Sequence, residues 1–249
     1  MRFAAVIAVC AVAVSAAAQE NYEIQVYGSD TVAPGRTMIE LHSNFTVDGR
    51  KQIEDRLSPT NHAWHETVEV TRGLTPWSEV GFYVFTSIDA NQEWQWVGSH
   101  VRPRVRAPES WHWPVGASLS VEFGYQRRAF SVDTWSIELR PIIDKDLGRW
   151  YASFNPTLES SSRGVEFSPN VAITFDATRK INIGAEYYGV FGPIGRFDPA
   201  SEQQHQLYVV TNLDAGPDWE VNLGYGFALT DAGDRRLVKL ILGRRFTLR

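Results

Sequence analysis

Hydrophobic and polar positions alternate with a period of two through most of the chain. Val115, Ala117, Leu119, Val121, Phe123 and Tyr125 are apolar, and Gly116, Ser118, Ser120, Glu122 and Gly124 lie between them. The same alternation runs through Trp219–Phe227 and Ile181–Tyr187. Successive side chains of a strand point to opposite faces, so this period predicts strands with one apolar face and one small, polar or charged face. Helical periodicity is almost absent. Twelve strands are predicted, over 36–47, 63–72, 79–89, 96–106, 115–126, 131–142, 150–159, 165–175, 181–190, 204–213, 219–228 and 235–246. Residues 19–35 form a lead-in, with Tyr22–Tyr27 as a candidate for a further short strand. Connections after even-numbered strands are tight, whereas those after odd-numbered strands include the longest, Asp48–His62 and Phe191–Gln203. No linker divides the pattern, so residues 36–249 read as one all-β domain.

Alternation alone fits two architectures. A soluble sandwich or small barrel turns the apolar face inward, and a transmembrane barrel turns it toward lipid. The tryptophans discriminate. With both termini on one side of the sheet, Trp64, Trp94, Trp96 and Trp135 fall at the end carrying the long loops. Trp77, Trp111, Trp113, Trp150 and Trp219 fall at the end carrying the turns. None is mid-strand. Indole suits a membrane–water boundary, where the ring is half buried and the N–H stays wet. Bulky residues occupy nearly every apolar-face position, which would overfill a small closed core and instead suits a lipid belt. The expected fold is an antiparallel up-and-down transmembrane β-barrel of about 12 strands.

Composition and the leader agree. Of 249 residues, 43% are hydrophobic, 21% charged and 12% aromatic, which excludes a disordered chain. The net charge of −5 argues against nucleic acid as a partner. Residues 1–18 (Arg2, then an apolar run ending Ala16-Ala17-Ala18) read as a secretory signal peptide cleaved after Ala18. The lone cysteine, Cys10, lies in that leader, so the mature chain has no disulfide. The last predicted strand is an apolar alternation closing on Phe246, three residues from the end. It resembles the C-terminal signal read by the barrel assembly machinery.

The mature chain resembles bacterial outer-membrane β-barrel proteins, and among them the transporter family associated with phenol meta-pathway degradation. Trp94–Arg106, Trp113–Arg128 and Tyr187–Phe197 carry the resemblance, through pattern and texture rather than a short motif. It implies an outer-membrane location, contact with outer-membrane lipid and passage of a small-molecule solute whose identity is open. It carries over no catalytic residue.

Outer-membrane phospholipases and deacylases share a His-x-Ser-Asn element, in which the i, i+2 spacing puts base and nucleophile on one strand face. Here His42 and Ser43 are adjacent and point to opposite faces. Asp89 and Asp133 lie near loop ends without a paired histidine. No catalytic residue, metal ligand set or cofactor is assigned, and the protein is not read as an enzyme. The inward charges remain: Arg102, Arg104, Glu122, Glu138, Arg140 and Glu186 are candidate pore-lining residues. Arg102, Arg104 and Arg140 are expected to face Glu122 and Glu138 across neighbouring strands. Pro103, Pro141, Pro156 and Pro169 fall inside predicted strands. There each removes a ladder donor, and Pro156 and Pro169 are expected to mark bulges. The sequence favours a passive channel or transporter for small solutes. An enzyme with its site at the loop end and a plugged structural or adhesive barrel are the alternatives.

Overall fold

The structure is a computed structural model, and it describes residues 21–247. The signal-peptide reading lies outside the described residues. Twelve strands form one closed antiparallel barrel: β1 (Arg36–Asp48), β2 (Trp64–Thr75), β3 (Ser78–Ile88), β4 (Trp94–Arg106), β5 (Gly116–Gln126), β6 (Trp135–Leu147), β7 (Trp150–Ser161), β8 (Gly164–Asp176), β9 (Ile181–Val190), β10 (Gln204–Leu213), β11 (Trp219–Ala228) and β12 (Arg236–Thr247). Each strand pairs with its sequence neighbours, and β1 pairs with β12 to close the ring. Closure leaves no sheet edge. The largest boundary error concerns β6, which begins at Trp135 and continues past Pro141 to Leu147. Pro141, next to the end of the predicted strand 131–142, does not stop it: it still pairs with Leu119 on the β5 side.

The faces are inverted relative to a soluble protein. The buried residues are mostly polar, among them Glu69, His42, Thr67, Ser120, Asn155 and Lys239, each fully or almost fully covered. Large apolar side chains such as Val84, Phe82, Ile137, Ile173 and Leu223 are exposed. Water would make such an exterior an aggregation surface, whereas hydrocarbon is its natural solvent. All nine tryptophans are exposed at strand ends or in the adjoining connections, as the sequence predicts. Some inner-face partners match a large side chain with a glycine. A Cβ built on Gly124 would lie 2.2 Å from the His100 ring, so glycine there makes room for the histidine directly opposite.

The prolines act by opening ladders. β4 and β5 pair at Val101–Phe123 and again at Arg104–Ser120 in unchanged register, with a gap beside Pro103. β6 and β7 skip Arg140–Ile142, opposite Pro156. Pro156 and Pro169 do not form the expected bulges. They face each other directly in a β7–β8 ladder of unbroken register. Beyond Pro169, β8 changes partner: Asn170 pairs with Tyr188 of β9, while Phe167 pairs with Gly192 after a one-residue shift.

The lead-in corrects the sequence reading most. Tyr22–Tyr27 is not a strand. Residues 21–35 run inside the barrel, from the loop end to the turn end. The chain enters beside Asp234 and Asn44, which bond Asn21, and leaves at Gly35, whose N–H donates to the Gly73 carbonyl.

Candidate functional site

The luminal segment has no ladder of its own, so its backbone groups need partners from the wall. The wall supplies them level by level. Thr67 Oγ1 donates to the Tyr22 carbonyl (2.7 Å), and Lys239 Nζ donates to the Ile24 carbonyl (3.0 Å). Asn155 Oδ1 accepts from the Tyr27 N–H (2.8 Å), while Ser153 Oγ donates to the Tyr27 carbonyl (2.6 Å). Arg104 donates to the carbonyls of Gly28 (3.1 Å) and Asp30 (2.5 Å). Asp144 accepts from the Ser29 N–H (2.9 Å), and Glu79 accepts from the Val32 N–H (2.6 Å).

Tyr27 is the centre of this arrangement. Its ring lies 4.6 Å from the Arg102 guanidinium carbon and 4.9 Å from that of Arg140, with Arg104 at 5.7 Å. Its hydroxyl contacts Glu23 and, at 3.3 Å, the hydroxyl of Tyr83. Guanidinium groups stack favourably on aromatic faces, and the gain rises where water is excluded. With Asn155 and Ser153 on β7 and Tyr83 on β3, Tyr27 spans the lumen from wall to wall.

The structure places all six candidate pore-lining residues on the inner face. Arg102, Arg104, Glu122, Arg140 and Glu186 are buried, and Glu138 is half-buried. Their pairing differs from the expectation. Arg102 pairs with Glu69 (2.6 Å), and Arg104 pairs with Glu79 (2.8 Å), on β2 and β3 rather than β5 and β6. Only Arg140 meets Glu138, at 2.8 Å, and it also holds Glu23 of the luminal segment at 3.1 Å. Glu122 pairs with His100, and Glu186 with Lys239. The expected direction was wrong because Ser120 stands directly between Arg104 and Arg140 in the register. The arginines are thereby spaced from each other across β5, and Arg102 and Arg104 turn to the carboxylates on their other side.

Sequence reasoning missed Tyr27 and Glu23, which lie in the irregular lead-in where no periodicity assigns a face. It also missed Glu69, Glu79 and Lys239, although inward parity was available for each: Lys239 alternates with exposed Val238.

The luminal segment does not fill the barrel. A cavity remains between it and the β5–β9 wall, lined by Glu23, Glu122, Glu138, Glu159, Glu166 and Arg140 among others. A second cavity beneath the loop-end connections shares Glu159 and Glu166 with it. A third lies at the turn end, beside Ser29, Asp30 and Asp144. Tyr27 stands between the upper pair and the lower one.

At the loop end, the long connection after β9 is tied to the wall. Arg163, in the β7–β8 turn, donates to both Asp198 oxygens (3.0 and 2.7 Å) and to Glu166 (3.1 Å). The hydrogen bonds to Asp198, and then those to Glu166, hold the Arg163 pKa above its ordinary value.

His42 and Ser43 point to opposite sides of β1, as their adjacency predicts. Ser43 Oγ donates to Glu66 (2.7 Å) on the outward side, while His42 is buried on the inner face. Phe246 pairs with Thr37 at the turn end, and the Arg244 guanidinium lies 5.1 Å from its ring and 4.8 Å from that of Trp219.

No protein-family model and no curated protein matches this sequence. Similar solved structures do exist. An outer membrane channel from Pseudomonas putida F1 superposes with a TM-score of 0.62 at 11% identity, covering 90% of this chain and all of that one. The NanC porin gives 0.54 at 7% identity over 84% of this chain and all of that one. The KdgM porin, solved with disordered oligogalacturonate, gives 0.52 at 8% identity over 85% of this chain and 99% of that one. The chain therefore has the fold of outer-membrane channel barrels.

Proposed function

We propose that the protein is an outer-membrane channel for small solutes, closed in this conformation by its own N-terminal segment. The observation that carries the reading is Tyr27, which spans the lumen from the β7 wall to the β3 wall. Cavities lie on both sides of it, and the segment is held there by hydrogen bonds and ion pairs rather than by a covalent link. Such bonds exchange with water at modest net cost, each contributing about 0.5–1.5 kcal/mol, or more where a charge takes part. A luminal segment held in this way can be displaced without unfolding the wall.

The field along the path favours cations. Glu23, Glu122, Glu138, Glu159 and Glu166 line the upper cavity, against Arg140 and His100. The other luminal arginines, Arg102 and Arg104, are matched by Glu69 and Glu79. A cleft lined by one sign of charge raises the local concentration of the opposite sign. The finer affiliation, with the transporters of aromatic degradation, rests on the texture of Trp94–Arg106, Trp113–Arg128 and Tyr187–Phe197.

Fractionation together with planar-bilayer recording tests this function. The protein should enter the outer membrane, migrate differently on gels before and after boiling, and pass cations in preference to anions when it conducts. Soluble behaviour without detergent, or folded protein that stays silent even when residues 21–31 are removed, would contradict the proposal.

A further inference from the structure

Glu40 and His42 lie two residues apart on β1, both on the inner face. The β1–β2 register sets Glu69 directly opposite Glu40. Two buried carboxylates facing each other across a ladder repel. Arg102 relieves only part of this, because it bonds Glu69 Oε1, which also accepts from Thr71 (2.6 Å). The other atoms of the cluster are left over. Glu40 Oε1, Glu69 Oε2 and both ring nitrogens of His42 are buried and have no hydrogen-bond partner. His42 and Glu69 are fully covered, and Glu40 is 5% exposed. One ligand atom from each of the three residues falls within 4.8 Å of the others, and His42 Nε2 is 3.5 Å from Glu69 Oε2. Leaving four such atoms unsatisfied away from water is costly.

We propose that Glu40, His42 and Glu69 bind a divalent first-row metal ion, with Zn2+ the best fit. The donor set is one imidazole nitrogen and two carboxylate oxygens, three protein ligands to which a water would add the fourth. At metal–ligand distances of about 2.0–2.1 Å, tetrahedral ligands stand roughly 3.3 Å apart. The three atoms, now within 4.8 Å of one another, would have to close to that spacing around the ion. Arg102 and Thr71 already hold the outer oxygen of Glu69, in the manner of outer-sphere partners that orient a ligating carboxylate. Gly243, opposite Glu40 on β12, leaves the needed room: a Cβ there would lie 2.9 Å from Glu40 Cγ. The ion would join β1 to β2 beside the seam where β1 meets β12, the last pairing needed to close the ring. Spacing along the sequence conceals the set, because Glu69 reaches it only through the register.

The test uses the full mature chain, refolded from chelator-treated denaturant with Zn2+ present, then freed of loose metal and assayed by mass spectrometry. One equivalent of zinc should remain per folded barrel. It should be lost in His42→Gln and in Glu40→Gln, and retained in His112→Gln, which changes an exposed histidine. Migration before and after boiling reports folding in each case. Co2+ in place of Zn2+ should give visible absorption bands in the wild type, a readout that needs no variant to fold. A folded wild type without retained zinc and without cobalt bands would overturn the site, leaving a proton on the cluster as the means of relieving the repulsion. Zinc retained by both ligand variants would overturn it equally.

Discussion

The Tyr27 ring lies 4.6 Å from the Arg102 guanidinium carbon, inside the barrel. Arg102 belongs to β4 and is anchored by Glu69, whereas Tyr27 belongs to a segment with no regular structure. The wall thus presents a cation to an aromatic ring of the luminal segment. Under the proposed function, that contact is what closes a barrel with cavities at both ends.

The outward face should be sensitive to charge according to depth. Val84 sits near the middle of β3 with 46% of its surface exposed, and Trp77 lies just before the strand begins. Val84→Arg should destabilise the barrel by about 2–4 kcal/mol in lipid, and Trp77→Arg by about 0–1 kcal/mol for its charge at the interface. Denaturant titration in vesicles, followed by gel migration, measures both. Equal costs would mean that the apolar belt does not face hydrocarbon.

Phe246 should matter for assembly more than for the finished structure. It is half-buried, and its ring lies 5.1 Å from the Arg244 guanidinium at the turn end. Phe246→Ala should therefore lower the amount of folded barrel in cells while leaving refolded protein close to wild-type stability. Quantifying heat-modifiable protein in membranes and after refolding separates the two. Unchanged yield in cells would remove Phe246 from the assembly signal.

The connection after β9 should loosen when its clamp is cut. Asp198→Asn keeps the shape of the residue but removes the charge that pairs with Arg163. Hydrogen exchange in residues 191–203 should rise several-fold, and exchange in β8 and β9 should stay unchanged. Arg163→Lys should fall between the two, since a point charge replaces a two-pronged donor. Wild-type exchange in the Asn variant would show that the loop is held by Phe191 and Phe197 instead.

Most of the wall was legible in the sequence, because lipid outside and a polar lumen inside enforce strict alternation. Val115–Tyr125 could be assigned to faces residue by residue, and the tryptophans marked the two rims. Pairing was less legible. Parity shows that Arg102 points inward, but only the stagger of the strands decides between Glu69 and Glu122 as its partner. The luminal segment was not legible at all: Tyr27 is held through its backbone, ring and hydroxyl by four different strands, and no local period encodes that. The Glu40–His42–Glu69 cluster was hidden for the same reason as the arginine pairs, since cross-strand register brought it together.

The most direct test of the closed channel is single-channel recording of wild type and Tyr27→Ala in the same bilayer. Alanine removes the ring that lies against Arg102 and Arg140 but keeps the backbone bonds to Asn155 and Ser153. The account predicts a wild type that is closed or opens only briefly, and a variant with stable conductance at least several-fold larger. Its reversal potential across a salt gradient should show cation preference. Identical conductance in the two proteins would contradict the account, because Tyr27 would then not close the path.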